Sequence, residues 1–159
     1  MEYYTKLIFL DFDGVISTYN SKWKIDVAKC ELIKELVEQT GARIVITSSW
    51  RYSTLQETIV KNDLNEWILK DYCIGVTERA IFPVDTDNSW FIPKRGMEIE
   101  KFINDYIETN TISEEIKYVI FDDDVFDLLY IQYNNIVQTN WKNGISNSNI
   151  KKALKILSK

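Results

Sequence analysis

Residues 6–15 limit how this chain can fold more than any other stretch of its sequence. An apolar run that ends at Leu10 is long enough for one buried strand of a parallel sheet, and Asp11 and Asp13 follow it directly. Side chains alternate along a strand, so both carboxylates can lean to the same side, and Gly14 then permits a sharp turn. We therefore expect two acids at the carboxyl end of a strand, the edge at which open α/β sheets bind ligands.

Two carboxylates at such an edge repel each other. A divalent cation that prefers oxygen ligands, such as Mg2+, is the simplest counter-charge. An isolated Asp-x-Asp is also compatible with a polar turn after a strand. The interpretation of Asp11 and Asp13 therefore depends on what the other strands bring to the same edge.

The bulk properties predict one globular domain over residues 1–159. Hydrophobic residues make up 45% and charged residues 27% of the chain, as in ordinary soluble domains. The net charge of −5 argues against a broad electrostatic grip on a nucleic-acid backbone, although it leaves room for a local basic pocket. The sequence has no histidine, which excludes Ser-His-Asp and Cys-His catalysis and His-ligated zinc.

The two cysteines, Cys30 and Cys73, form neither a metal-binding nor a disulfide pattern, which fits a reducing cytoplasm. No apolar run approaches the length of a membrane span, so we expect a cytoplasmic protein without a membrane partner. Cys73 and Arg79 have the Cys-x5-Arg spacing of cysteine-dependent phosphatases. We discount this match because no histidine precedes the cysteine and Ala80, instead of a hydroxyl residue, follows the arginine.

Apolar runs alternate with segments of helical periodicity along the chain. Strands are predicted at residues 6–10, 42–46, 71–76, 117–121 and 135–138. Helices are predicted at residues 53–70, 93–107 and 148–158, and between an N-cap at Asp26 and a C-cap at Gly41. The buried stripe of this first helix is predicted to contain Val27, Cys30, Ile33, Leu36 and Val37. Alternating strands and helices imply right-handed crossovers and a parallel sheet whose strand ends share one edge.

Hydroxyl groups follow the second predicted strand, where Thr47 and Ser48 occupy its carboxyl end. Hydroxyls and exposed backbone N–H groups at such a position suit phosphate oxygens. Serine and threonine also cap helices well, so a structural role is an equal alternative. Arg51 is either a surface charge or a second anion ligand that could contact substrate.

Two cations open the helix that starts near residue 93, although positive charge at a helix N-terminus opposes the macrodipole. Lys94 and Arg95 therefore suggest an anion or a carboxylate to neutralise, with a solvated basic pair as the alternative.

Acidic residues are concentrated directly after the strand predicted at residues 117–121. Such a cluster would be destabilising without a counter-charge. A solvated acidic turn is one interpretation. A metal site fits better, because the first strand supplies acids with the same placement. The acids in question are Asp122, Asp123, Asp124 and Asp127.

These motifs together resemble the haloacid dehalogenase (HAD) superfamily of phosphohydrolases. The run at residues 10–15 is similar to its first motif, Thr47 or Ser48 to the second, and Lys94 or Arg95 to the third. Asp122 and Asp123 with Asp127 are similar to the fourth. Residues 46–51, 95–99, 119–124 and 137–145 further resemble the HAD domain of multi-enzyme RNA-repair proteins.

The resemblance implies a three-layer Rossmann-like α/β sandwich with a mostly parallel central sheet and a small cap or none. It also implies that Asp11 attacks phosphorus to form an aspartyl-phosphate. Asp13 would act as general acid and then as general base. Thr47 or Ser48 would hold a phosphate oxygen, and Lys94 or Arg95 would neutralise charge on Asp11 and the phosphoryl group.

The metal implied by the resemblance is Mg2+, held by Asp11, the backbone carbonyl of Asp13, Asp123 and the phosphate. Asp122 and Asp127 complete the predicted acidic set.

A site without a large cap would be open and would admit a phosphorylated small molecule or a nucleic-acid end. We expect the protein itself to be a monomer or a small homo-oligomer. Residues 77–93 hold both prolines and could cover the site as a lid that selects the substrate. The alternative function is a catalytically weak module of the same fold that binds metal and phosphate.

Overall fold

The computed structural model describes residues 3–52, 67–79 and 94–158. Within these ranges the chain alternates strands with helices. In chain order the elements are β1 (Lys6–Leu10), α1 (Val27–Thr40), β2 (Arg43–Ile46), β3 (Cys73–Val76), α2 (Lys94–Asn110), β4 (Lys117–Asp122), β5 (Ile136–Gln138) and α3 (Asn147–Leu157). Short 3-10 helices lie at Ser49–Tyr52, Lys70–Tyr72 and Tyr130–Asn135.

The five described strands form one sheet in the order β3-β2-β1-β4-β5, and every pair is parallel. Leu10 at the end of β1 pairs with Ile46 of β2 and with Phe121 of β4, so these three strands end side by side. The next residues continue the pairing, since Asp11 N–H donates to Phe121 O at 3.1 Å and Thr47 N–H donates to Leu10 O at 2.9 Å. This sheet confirms the predicted α/β fold.

Helices cover both faces of the sheet, which makes the fold a three-layer sandwich. Alternate residues of β1 point to opposite faces, and both sets are fully buried because the sheet is covered on each side. One core joins Ile8 and Leu10 to α1 and α3, while the other joins Leu7 and Phe9 to α2. Burial of each such aliphatic side chain contributes about 1.5–3 kcal/mol, so the strands are fixed firmly and so are the residues that follow them.

The first helix has the predicted ends. The Asp26 side chain accepts a hydrogen bond from Ala28 N–H, and Gly41 ends the helix at φ +71°. The predicted stripe is buried except for Val27, which is 63% exposed. The assignment of Val27 to the core is wrong because, at 3.6 residues per turn, it lies roughly 110° around the helix from the mean direction of the other four positions.

Two predicted boundaries also move. The strand predicted at 71–76 begins at Cys73, because Asp71 and Tyr72 belong to a 3-10 helix. The helix predicted at 53–70 falls mostly on residues 53–66, which lie outside the described residues, and residues 67–70 form a turn and the start of that 3-10 helix. Most of the predicted lid, residues 80–93, also lies outside the described residues. Of the helices described, none combines the length and apolar character that a membrane span requires.

Candidate active site

Three carboxylates from two adjacent strands converge at the carboxyl edge of the sheet. Asp11 leaves the central strand β1, and Asp122 and Asp123 lie at the end of β4 beside it. One carboxylate oxygen from each residue lies within 4.8 Å of the other two. Asp11 is 5% exposed and Asp122 is fully buried, so water does little to screen their repulsion. The arrangement requires a positive partner.

Gly14 makes room for Asp123. Its backbone has φ +80°, a conformation that glycine adopts without strain. A Cβ at this position would lie 2.2 Å from Cγ of Asp123, so any other residue would displace that carboxylate. The Thr139 hydroxyl donates to Gly14 O at 2.7 Å and fixes the turn. The glycine that follows the first two acids therefore determines where the acid from β4 can lie.

Arg95 supplies a positive partner from the first turn of α2. Its Nη1 lies 2.6 Å from Asp122 Oδ2 and 3.1 Å from Asp11 Oδ2. The helix start is anchored, because Gly96 N–H donates to Asp127 O at 2.8 Å and the Gln132 side-chain amide donates to Gly96 O at 2.9 Å. The cation at this helix N-terminus is thus explained by the two carboxylates that it faces.

The electrostatics show a cluster with too little positive charge. Burial and the charge of Asp11 together raise the pKa of Asp122 to about 7, although Arg95 partly opposes them. Burial also raises the pKa values of Asp11 and Asp123, with Arg95 again opposing. Burial would lower the pKa of the Arg95 guanidinium, but the charges of Asp11 and Asp122 raise it overall.

The donor set fits a divalent cation. Three ionised carboxylates and one guanidinium together have two excess negative charges. The two positive charges of Mg2+ would balance them. All three carboxylates offer hard oxygen ligands, which Mg2+ prefers. Gly14 keeps open the space that Asp123 needs. The residues present therefore suit the ion that the sequence predicted.

Asp13 lies beside this cluster, but its carboxylate is hydrogen-bonded to a side chain outside the cluster. Its Oδ2 accepts a hydrogen bond from Trp50 Nε1–H at 3.0 Å, and it does not belong to the group of three carboxylates. Trp50 also packs edge-on against Phe12, with ring centroids 5.4 Å apart. Trp50 is not among the residues that the sequence motifs single out. The signal that could have revealed more is its indole N–H, which needs a partner when buried, three residues after Thr47.

The two hydroxyl residues after β2 have different surroundings. Thr47 continues the β1–β2 pairing, which places it beside Asp11, and it is fully buried. Ser48 is also buried, and its Oγ accepts a hydrogen bond from Trp50 N–H at 3.3 Å, within the 3-10 turn that follows. The capping alternative thus applies to Ser48.

Three other candidates lie outside the carboxylate cluster or outside the described part of the chain. Lys94 is exposed at the first position of α2. Asp127 contributes a backbone carbonyl to the start of α2, and its carboxylate is not part of the group of three. Arg51 has its backbone in the 3-10 turn, but its side chain is outside the described residues. Their predicted roles stay predictions.

Comparison with known proteins gives one result that covers most of the chain. A family model described as the HAD domain in Swiss Army Knife RNA repair proteins matches residues 7–150. No curated protein and no solved structure gives a significant match. The family match confirms the resemblance that the motifs indicated. The chain belongs to the HAD superfamily, as a member of the family of HAD domains found in Swiss Army Knife RNA repair proteins.

Proposed function

We propose that this protein is a Mg2+-dependent phosphohydrolase that cleaves phosphate monoesters through an aspartyl-phosphate on Asp11. The observation that carries the proposal is the convergence of Asp11, Asp122 and Asp123 with Arg95 at the carboxyl edge of the sheet. The chain is a HAD domain. In phosphoryl transfer a carboxylate can act as the nucleophile, so neither a histidine nor a thiolate is needed.

Asp11 is assigned as the nucleophile. Its carboxylate oxygen forms a bond to phosphorus while the bond from phosphorus to the leaving oxygen breaks, and Asp13 gives that oxygen a proton. In the second half, Asp13 takes a proton from water as the water attacks phosphorus, which releases inorganic phosphate and restores Asp11. Trp50 occupies Oδ2 of Asp13, so Oδ1 is the atom assigned to proton transfer.

Arg95 and Thr47 are assigned to the phosphoryl group. Arg95 already contacts Asp11, so it can keep this buried carboxylate ionised and stabilise the charge that develops on the equatorial oxygens. Thr47 is preferred to Ser48 because the register places it beside Asp11. When bound to Asp11, Asp123 and the Asp13 carbonyl, Mg2+ would supply the charge that lets an anionic nucleophile approach an anionic substrate.

The proposed substrates are nucleotide or nucleic-acid end phosphates. The family description places relatives of this domain in RNA repair proteins. The candidate site lies at the carboxyl edge of the sheet, where α/β folds of this kind take up their ligands. A screen with Mg2+ should cover 3′- and 5′-phosphorylated oligonucleotides, nucleotides, sugar phosphates and phosphopeptides.

The test uses an aryl phosphate together with an Asp11→Asn variant. We expect Mg2+-dependent turnover by the wild-type protein and a loss of at least roughly 10³-fold in the variant, as when a nucleophile is removed. Acid quenching should trap one phosphoryl group on the peptide that contains Asp11. Asp124→Asn is the matched control, because Asp124 is exposed and lies outside the group of three carboxylates.

Retained activity in Asp11→Asn would show that the assigned nucleophile is wrong. No turnover of any substrate, together with Mg2+ binding, would favour the non-catalytic binding module instead.

A further inference from the structure

Two loops that leave the carboxyl edge of the sheet are joined into one surface. Residues 12–26 follow β1, and residues 139–146 follow β5. Tyr19 N–H donates to Trp141 O at 3.3 Å, and Asn20 N–H donates to Lys142 O at 3.2 Å. The side-chain amide of Asn20 also donates to Asn143 Oδ1 at 2.8 Å. This surface therefore belongs to the same edge as the carboxylate cluster.

Large aromatic side chains are exposed on these joined loops. Tyr19 is 57%, Trp23 46% and Trp141 51% exposed. The rings of Tyr19 and Trp141 meet edge to face, with centroids 5.6 Å apart. We call these three residues the aromatic platform. Exposed aromatic side chains on adjoining loops are typical of a binding surface rather than of a core.

The backbone holds Trp23 in an unfavourable conformation. Lys22 and Trp23 have φ values of +55° and +59°, which a bulky residue rarely adopts. The loop is locked in this form, because Trp23 N–H donates to Thr18 O at 2.8 Å and Ser21 Oγ donates to Lys24 O at 2.6 Å. A strained, exposed tryptophan that the loop holds in place indicates a role for its ring.

The charge around the platform opposes that of the whole chain. Residues 14–25 and 128–159 contain no Asp or Glu, although the protein has a net charge of −5. Three lysines of the joined loops are exposed: Lys22, Lys24 and Lys142. Cations interleaved with exposed aromatic rings complement a ligand that carries both negative charges and flat π-faces.

We propose that the aromatic platform and its three lysines bind single-stranded nucleic acid next to the phosphatase site. Unpaired bases stack on aromatic faces while the phosphates meet the lysines. An acidic peptide would pair with the lysines, but it would not supply the flat bases that stack on the aromatic rings. The proposal rests on the proposed function only in that the bound strand would present its terminal phosphate to Asp11.

The fold connects the platform to the carboxylate cluster. Gly14 lies against the Asp123 carboxylate, and its carbonyl oxygen accepts a hydrogen bond from the Thr139 hydroxyl. Gly14 and Thr139 lie near the start of the two joined loops. Tyr19 is five residues beyond Gly14, so the two lie at most roughly 18 Å apart even if the chain is fully extended. A short single strand can therefore place its end at the cluster and a neighbouring base on the platform.

The first experiment measures binding alone, with a labelled, unphosphorylated single-stranded oligoribonucleotide and fluorescence anisotropy of the whole chain. We expect Tyr19→Ala/Trp141→Ala to weaken binding roughly 5- to 150-fold, as loss of base stacking does. The matched control is Tyr130→Ala/Tyr133→Ala, which removes a second exposed aromatic pair from the segment before β5. Equal weakening by the control would overturn the proposal, and so would unchanged binding in the double variant.

A second variant tests whether weaker binding results from loss of a ring rather than from misfolding. Trp23→Gly removes a platform ring and also relieves the positive φ at that position. We expect its melting temperature to stay the same or rise, while oligonucleotide binding weakens at least several-fold. Binding equal to that of the wild-type protein would remove Trp23 from the platform and contradict the proposal.

The charge is tested separately. Lys22→Glu/Lys142→Glu should weaken binding and make the salt dependence shallower, by about 0.7 in the slope of log K against log salt for each phosphate that the protein no longer neutralises. Lys70→Glu, an exposed lysine before β3, is the control. Tighter binding of duplex RNA or of an acidic peptide than of the single strand would overturn the proposal.

The kinetic arm separates this inference from the proposed function. In platform variants, we expect a higher KM for a phosphorylated oligonucleotide and unchanged turnover of an aryl phosphate. Oligonucleotide binding without any hydrolysis would count against the phosphatase and leave the platform standing. If hydrolysis of oligonucleotide ends is unchanged in the Tyr19 and Trp141 variants, the phosphatase is supported and the platform proposal is contradicted.

Discussion

The Nη1 atom of Arg95 lies 2.6 Å from Oδ2 of Asp122, so the first turn of α2 is tied to the end of β4 by a buried ion pair. The same nitrogen reaches Asp11 at 3.1 Å. A positive charge at a helix N-terminus is unfavourable by itself. The two carboxylates reverse that balance, because they offer charge-assisted hydrogen bonds from buried positions.

Replacement of Arg95 should therefore affect both activity and folding. We expect Arg95→Met to lower aryl phosphate turnover roughly 10²- to 10³-fold, as loss of one transition-state donor does. It should also destabilise the fold by about 3–5 kcal/mol, because a buried charge loses its partner. Turnover and urea unfolding measure the two effects.

Lys94→Met is the comparison variant, since Lys94 precedes Arg95 but is exposed. Both measurements should stay close to the wild-type values. The reverse pattern, with activity lost in Lys94→Met and kept in Arg95→Met, would assign the motif to the lysine.

Mg2+ should stabilise the protein through the three carboxylates. At 100 times its Kd, a ligand that binds only the folded state adds about 2.7 kcal/mol. For a domain of this size that corresponds to a rise of about 5–11 °C in Tm, relative to a sample with chelator. Thermal unfolding with and without Mg2+ measures this rise, and an unchanged Tm would argue against a metal site.

Asp123→Asn should separate charge from metal binding. It removes one of the mutually repelling carboxylates, so the metal-free variant should be at least as stable as the wild type while losing the response to Mg2+. Asp124→Asn, whose exposed side chain caps Phe126 N–H at 3.0 Å, should keep that response. A full response in Asp123→Asn would remove Asp123 from the site.

The acids that follow buried strands were predictable from the sequence. An apolar run fixes where a strand ends, and the next residues must then lie at the sheet edge. Asp11, Asp122 and Asp123 are placed in this way. Their convergence also required the strand order, since β1 and β4 are neighbours in space but far apart in the chain.

The choice between adjacent residues was not predictable. Successive helical residues point about 100° apart, so only the register of α2 against β4 decides that Arg95, and not Lys94, faces Asp122. Likewise, the sequence does not show whether Asp127 contributes its carboxylate or its main chain. The structure shows its carbonyl bonded to Gly96.

Hydrogen bonds made by irregular segments were also missed. Gln132 is fully buried in a 3-10 segment, accepts a hydrogen bond from Leu129 N–H and donates to Gly96 O and Glu100. A segment without helical or strand periodicity gives no pattern from which such a bond could be inferred. The bond from Trp50 to Asp13 is of the same kind, because tertiary packing orients the turn.

Two glycines with positive φ angles provide a paired test of the site. Gly14 has φ +80° and Gly41 has φ +71°, so alanine at either position should cost about 1–2 kcal/mol of backbone strain. A Cβ at Gly14 would collide with Asp123, whereas one at Gly41 meets nothing within 4 Å. Gly41→Ala should lose only the strain energy and keep turnover and the Mg2+ response, whereas Gly14→Ala should be destabilised further by the collision and should lose both. Equal activity in the two variants would show that the position of Asp123 does not matter.

The cysteines should be unreactive in the folded protein. Burial raises the pKa of Cys30 to about 11 and that of Cys73 to about 12. At pH 8 the thiolate fraction is then on the order of 10⁻³ or less, so iodoacetamide should label the native protein at least roughly 100-fold more slowly than an ordinary thiol. Because the folded pKa values lie well above 8, the labelling rate should keep rising about tenfold per pH unit instead of levelling near 8.5. Cys73→Ser should retain turnover, since the Cys73 thiol donates to Leu69 O at 3.4 Å, a bond that a hydroxyl can replace. Rapid labelling of Cys73 at neutral pH, with activity lost in step, would restore the cysteine-phosphatase interpretation and remove Asp11 from the role of nucleophile.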